Sequence, residues 1–477
     1  MSVSDKTRGA ILWKSTEVLG QRLVWFVIGM ILARLVSPAD FGLIAVIMML
    51  NMLAISFVDS GFSAALIQKQ DTTYTDECSV FWFNLLAGSL IALSLVIAAP
   101  GIAAFFDQPV LKPLTWLMAA NLCVQSWSGV QFALLSKAMN FKVQMQAGLT
   151  STLIAGIIAI AMAWNGWGVW ALATQIVAAT IIRTLLLWIL HHWRPSRVFS
   201  LQRLRDMFEF GSYIFFGRLL NVVGSQFHIA LIGRYYSTTD LGFYNRASST
   251  GDLLQSVMSN IYASVAFPLF STYADDQKRL RESMRKSLVA MMAINLPAMA
   301  GLMVTADVLI PTLFGEQWSP SVPYMRVLCL AGILHVLQVA NLEVLKAQGF
   351  SKLFFRLGVI NRTLMIITVL ATAQISILAI AWGVVAVSAI SYFINAHYSA
   401  KFLNFGALQQ LREVAPYILL TVLMAIAVMA TDTLTKGLPT GWQALIQVLT
   451  GGTLYFAAVI GLKMEAATHA RELLRMQ

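Results

Sequence analysis

The sequence predicts an all-α polytopic membrane protein, with about 14 transmembrane helices in two parallel six-helix lobes plus two C-terminal helices. Three observations lead there. Hydrophobic residues make up 58% of the chain and charged residues 12%, where a soluble domain carries about 25% charge. Mean hydropathy is +0.72, and apolar stretches of spanning length, roughly 20 residues, follow one another nearly end to end. Finally, one short stretch is written twice, 200 residues apart. The alternation of apolar and polar residues in segments of about 10 that marks a membrane β-barrel is absent.

Taken in order, the apolar runs place helices near 10–36, 40–66, 78–106, 112–135, 145–165, 167–193, 207–236, 240–271, 285–313, 322–346, 353–375, 377–402, 412–431 and 440–463. The first run is too long for a signal-peptide core and lacks a small-residue cleavage site, so it reads as a retained helix. The loops are short, the longest being 194–206, and none is large enough for a soluble catalytic domain. Cys78, Cys123 and Cys329 lack metal or disulfide spacing and read as packing residues.

The net charge of +11 is explained by topology rather than by nucleic acid, because basic residues concentrate in cytoplasmic loops. Of 33 basic residues, 23 fall on one set of loops and termini, including Lys6, Arg8, Lys14, Arg471 and Arg475. The opposite set holds only Arg34, Lys112, Arg234 and Lys436. This predicts an even helix count with both termini cytoplasmic, and a basic face that attracts anionic membrane lipids.

The repeated stretch is ARLVSPADFG (33–42) and GRYYSTTDLG (233–242). Arg34, Ser37, Asp40 and Gly42 fall on Arg234, Ser237, Asp240 and Gly242 without a gap. A second pair, WGVWA (167–171) and WGVVA (382–386), opens the sixth and twelfth helices. The repeat suggests lobes at 1–199 and 200–404, with two further helices and a tail at 405–477. An even number of helices per copy makes the repeats parallel, with substrate sites expected between the halves. Locally, Ser37 suits an N-cap, Pro38 the first turn, and Asp40 the acidic position of a capping box. Arg34 and Arg234 suit helix C-termini, and Gly42 and Gly242 suit close helix approach. The hairpins therefore read as structural, with direct substrate contact as the alternative.

Six arginines remain in apolar surroundings: Arg22, Arg183, Arg218, Arg246, Arg326 and Arg362. Charges within membrane spans usually face a bundle interior or a wet cavity. Arg218, Asn221, Ser225 and His228 form one helical stripe, and Asn245, Ser249, Asp252, Ser256 and Ser259 another. Lys14, Glu17 and Gln21 do the same beside Arg22, and Gln21 corresponds to Asn221 across the repeat. Arg22, Arg218, Arg246, Arg362, Gln21, Asn221 and Ser225 are thus expected to line a substrate cavity. Arg183 and Arg326 are read as helix-end residues that snorkel. Glu17, Asp252, Asp59 and Glu343 serve either ion coupling or ion pairing. Packing is the simpler reading of His228 and His335. No G-x-x-x-x-G-K-[ST] loop, no HExxH and no Ser/His/Asp arrangement is present, so neither an enzyme nor a cofactor or metal is expected.

In order along the chain, LARLVSPADFGLIAV (32–46), SGFSAALIQKQ (60–70), ALLSKAMNFK (133–142), LGFYNRA (241–247), FPLFSTYADD (267–276) and LFGEQW (313–318) resemble Wzx-type lipopolysaccharide and exopolysaccharide flippases of the colanic acid exporter group. These belong to the multidrug/oligosaccharidyl-lipid/polysaccharide exporter superfamily. The resemblance implies a bacterial inner-membrane exporter with a cationic cavity. It further implies a cargo of oligosaccharide repeat units on undecaprenyl pyrophosphate, and a polysaccharide polymerase and export machinery as partners. The rival readings are a cation-coupled multidrug exporter, disfavoured by the excess of intramembrane arginine over carboxylates, and a membrane enzyme of polysaccharide assembly.

Overall fold

The computed structural model describes residues 3–465. Arg471 and Arg475 lie outside the described residues, as do the side chains of Lys6, Arg8 and Lys14. Among the described residues the chain forms sixteen α-helices and one 3-10 turn. It divides into two compact units, 1–242 and 243–477, each described by itself.

The first unit holds α1 (Val3–Leu35), α2 (Pro38–Asp59), α3 (Phe62–Gln68), α4 (Tyr74–Phe105), α5 (Leu111–Ser126), α6 (Gly129–Lys137), α7 (Phe141–Trp164), α8 (Val169–Leu190), α9 (Leu201–Tyr235) and the first turn of α10 (Thr238–Thr272). Two of the expected spans are interrupted. At 60–61 the chain turns left-handed, with φ of 44° at Ser60 and 80° at Gly61, which ends α2 and starts α3. The turn is needed for packing: a Cβ on Gly61 would lie 2.1 Å from the Gly211 carbonyl oxygen of α9. The span expected at 112–135 breaks at Trp127–Ser128 into α5 and α6. Both breaks fall at short polar stretches, Asp59-Ser60-Gly61 and Gln125-Ser126-Trp127-Ser128-Gly129, set inside longer apolar runs.

Among the described residues, twelve helical segments are long and apolar enough to cross a membrane. The other two expected spans are α1, whose charges include Glu17, Arg22 and Arg34, and the interrupted α5–α6 pair. The chain is a multi-pass membrane protein. Buried backbone breaks are tolerable at membrane depth only where protein or a wet cavity satisfies them.

The loop expected at 194–206 is shorter, 191–200, because α9 begins at Leu201 under a Ser200 cap. It is strapped to the start of α4. Tyr74 donates its hydroxyl to the Arg194 carbonyl at 2.6 Å, Trp82 Nε1 donates to the Ser196 carbonyl at 2.8 Å, and Trp193 Nε1 donates to Glu77 Oε2 at 2.7 Å. Cys78 is fully buried there and meets Ser196 at 3.5 Å. At the end of α8, burial and then the nearby charges of Arg194 and His192 hold His191 below the usual imidazole range, so it is neutral at physiological pH.

α4 also carries a reciprocal capping box. Thr73 Oγ1 accepts the Asp76 N–H at 3.3 Å, and Asp76 Oδ2 accepts the Thr73 N–H at 2.8 Å and Lys69 Nζ at 2.8 Å. Lys137 donates to Thr72 Oγ1 at 2.8 Å and to the Lys69 carbonyl oxygen. Asp76 is fully buried. Asp76→Ala removes a cap and strands these donors, so it should cost about 1–3 kcal/mol. The expected result is a lower melting temperature of the protein in detergent; an unchanged one would show that the cap is dispensable.

The second unit continues α10 and adds α11 (Gln277–Phe314), the 3-10 turn Glu316–Ser321, α12 (Val322–Ala347), α13 (Ser351–Thr372), α14 (Ile377–Leu403), α15 (Ala407–Thr435) and α16 (Thr440–Gly461). Its core joins Tyr262, Phe270, Leu288, Met292, Val336, Tyr392 and Val414. α15 and α16 both pack on α11, with Met424, Val428, Tyr455 and Val459 gathered around Ala300. Arg285 of α11 bonds Glu465 at 2.6 and 2.7 Å and Glu413 at 3.1 Å, tying the end of the described chain to this helix.

Candidate functional site

Among the described residues, the first unit holds two neighbouring half-open chambers with polar groups in their linings. The larger, about 480 Å³, is lined by Asp59 of α2, Asn84 of α4, Gln125 and Ser126 of α5, Arg183 of α8 and Arg218 of α9, among apolar residues. Arg218 Nη1 lies 3.3 Å from Asp59 Oδ2, while Asp59 Oδ1 accepts the Ser63 N–H at 3.2 Å. The α2–α3 break is what presents Ser63 to Asp59. Asn84 is 2% exposed, and its Oδ1 has no hydrogen-bond partner among the described residues. The smaller chamber, about 230 Å³, lies among α1, α2, α5, α7 and α8, and shares Gln125 and Arg183 with the larger.

Arg183 is therefore the charged residue common to both chambers. It stands well inside α8, not at its end, and Glu17 of α1 lies within electrostatic reach. The snorkelling expectation for Arg183 depended on an uncertain helix end. A finer signal was available: Asn121 and Gln125, four residues apart, put two carboxamides on one face of an apolar helix. Gln21, expected on a polar face, lines the smaller chamber; a Cβ on Gly148 would meet its Nε2 at 1.7 Å. Arg22 is half-buried on α1.

Other expected residues are placed elsewhere. Asn221 Nδ2 and Ser225 Oγ bond back to their own helix, to the carbonyls of Gly217 and Val222, each at 3.2 Å. In the second unit Arg246 is stacked between two rings, 4.7 Å from the centroid of Phe314 and 4.8 Å from that of Trp318. Such stacking holds a guanidinium in place. Asp252 accepts Ser248 Oγ at 3.0 Å, and Glu343, 4% exposed, pairs with Lys346 at 2.6 Å. Arg362 is within electrostatic reach of His335. Arg326 pairs with Asp307 beside a cavity of about 630 Å³ that Trp382 and Asp432 also line.

The repeated hairpins meet each other. Ser37 Oγ accepts the Asp40 N–H at 3.2 Å and donates to the Asp40 carboxylate at 2.7 Å; Ser237 and Asp240 do the same at 3.0 and 2.6 Å. A Cβ on Gly42 would lie 1.8 Å from the Thr238 carbonyl oxygen, and one on Gly242 would lie 1.9 Å from that of Pro38. Arg34 and Arg234 sit in the last turns of α1 and α9, and Arg234 lies over the Phe105 ring at 5.4 Å.

Comparison with known proteins shows the family. The family described as "Polysaccharide biosynthesis protein" matches residues 31–323. The chain is 26% identical over 412 residues to the teichuronic acid biosynthesis protein TuaB of Bacillus subtilis, covering 84% of each. It is 28% identical over 323 residues to the succinoglycan biosynthesis transport protein ExoT of Rhizobium meliloti, covering 68% of this chain and 65% of that one. Its fold matches the lipid II flippase MurJ in an inward closed conformation, with a TM-score of 0.75 and 15% identity over 97% of this chain and 100% of that one.

Proposed function

Because the chain belongs to the polysaccharide biosynthesis protein family, we propose that it is a flippase for lipid-linked oligosaccharides. Its cargo is the repeat unit of a lipopolysaccharide or exopolysaccharide on undecaprenyl pyrophosphate, moved across the bacterial inner membrane by alternating access. Both termini face the cytoplasm, in keeping with the placement of the basic residues. Lobes at 1–199 and 200–404 are the moving halves, with 405–477 as an added packing element.

The observation that supports this most is the larger chamber. Two arginines and one carboxylate give it a net positive lining, suited to a pyrophosphate or an acidic sugar. Arg218 and Arg183 hold the anionic headgroup, as bidentate donors do, while the lipid tail stays in the bilayer. A membrane potential negative inside favours outward movement of an anion by about 2.3 kcal/mol per charge per 100 mV. Transport therefore needs no nucleotide hydrolysis in this chain. Glu17 and Asp59 tune the arginines rather than act alone. A multidrug exporter of cationic compounds would need the opposite charge balance. The protein is a carrier rather than an enzyme of assembly, and a polymerase takes the delivered unit.

Deleting the gene tests this. Surface polymer should disappear while complete repeat units accumulate on the carrier at the cytoplasmic face. Normal polymer with altered drug sensitivity would overturn the reading, as would accumulation of incomplete units.

A further inference from the structure

The smaller chamber of the first unit has a lining unlike the larger one. Five carboxamides converge on it, Gln21, Asn51, Asn121, Gln125 and Gln175. Asn121 is 1% exposed, and neither its Nδ2 nor its Oδ1 meets a partner among the described residues. The same holds for Asn51 Oδ1 and Gln125 Oε1. Burying such groups unpaired costs about 1–3 kcal/mol each. A cluster of them in one apolar bundle needs a reason that packing alone does not supply.

The chemistry narrows the ligand. Among the described residues the lining has one cation, Arg183, too few for a multiply charged anion. No carboxylate lines the chamber among the same residues, so an organic cation is poorly matched too. Carboxamides offer donor and acceptor side by side, which complements adjacent hydroxyls that also donate and accept. Trp25 adds an apolar wall of the kind that packs against the C–H face of a ring. At about 230 Å³ the space suits a single ring, below the roughly 300–1,000 Å³ of sites for larger ligands.

We propose that this chamber is a sugar subsite, which takes one neutral pyranose ring while Arg183 and Gln125 bridge it to the anion-holding chamber. The inference rests on the flippase reading and deepens it: the protein senses the sugar beside the pyrophosphate, not the carrier alone. Asn121 and Gln175 are specificity residues in this arrangement, and Arg183 spans both parts.

The test compares undecaprenyl diphosphate with the same carrier bearing one glucose, galactose or mannose, bound to the purified full chain in detergent. At least one sugared carrier should bind the wild-type protein about tenfold tighter than the bare one, the gain expected from one or two well-made hydrogen bonds. Asn121→Leu and Gln175→Leu should each lower that preference while leaving bare-carrier affinity unchanged, which also reports that the variants are folded. Equal binding of bare and sugared carriers by the wild type overturns the subsite and leaves the flippase reading intact. So does a sugar preference that survives both substitutions. Failure of the wild type to bind any of the carriers overturns both.

Discussion

Gly42→Ala should abolish polymer export and destabilise the protein. The new methyl group would sit 1.8 Å from the Thr238 carbonyl oxygen and 3.1 Å from the Gly242 nitrogen. Both obstacles are backbone, so no rotamer change can relieve the clash, and the two helix starts must move apart. Overpacking costs about 1–3 kcal/mol where side chains can adjust, so the upper end of that range is expected here. Gly242→Ala should match it, because its Cβ meets the Pro38 carbonyl oxygen at 1.9 Å. Gly101→Ala is the control: nothing lies within 4 Å of its added Cβ, and alanine is favoured over glycine in a helix by about 1 kcal/mol. Melting temperature in detergent and rescue of polymer in a deletion strain are the measurements. Normal rescue by Gly42→Ala would show that the contact is not needed in the working cycle.

Arg183→Gln should give the largest loss of transport among single changes to the polar chambers. The substitution removes the cation shared by both chambers and takes away the charge facing Glu17, which is 5% exposed. Leaving a buried charge without an opposite charge nearby is destabilising, so lost export alone would not separate folding from binding. The double variant Glu17→Gln, Arg183→Gln makes that separation. It should recover most of the melting temperature, because no charge is left facing a lost partner, yet remain inactive in export. Recovery of export together with stability would mean that Arg183 is a structural counter-ion only. Arg183→Lys should be intermediate, keeping the charge but not the two-pronged donor geometry.

Five of the six stretches that carried the family resemblance meet one another. LARLVSPADFGLIAV and LGFYNRA touch through Gly42 and Gly242. SGFSAALIQKQ and ALLSKAMNFK meet where Lys137 donates to the Lys69 carbonyl. LGFYNRA and LFGEQW meet where Arg246 lies between Phe314 and Trp318. Their spacing along the chain thus reflects joints between helices. Arg246, expected to line a substrate cavity, takes part in one of these joints through the Phe314 and Trp318 rings.

The membrane class, the run of helices and the helix starts at Ser37 and Ser237 were legible in the sequence. Hydropathy and capping act over a few residues, and a linear reading sees that range. The breaks after α2 and α5 were read through, because each is a short polar stretch, DSG at 59–61 and QSWSG at 125–129, inside a long apolar run, and it is the close passage of α9 at Gly61 that demands the first turn. The chambers needed the folded chain most of all. Arg183 and Gln175 of α8, Asn84 of α4 and Asn121 of α5 come from three helices, and whether a polar side chain in an apolar helix faces lipid, a ring or another polar group depends on neighbours far away in sequence. Local physics wrote the helices, and packing at glycine contacts decided which of their charges share a cavity.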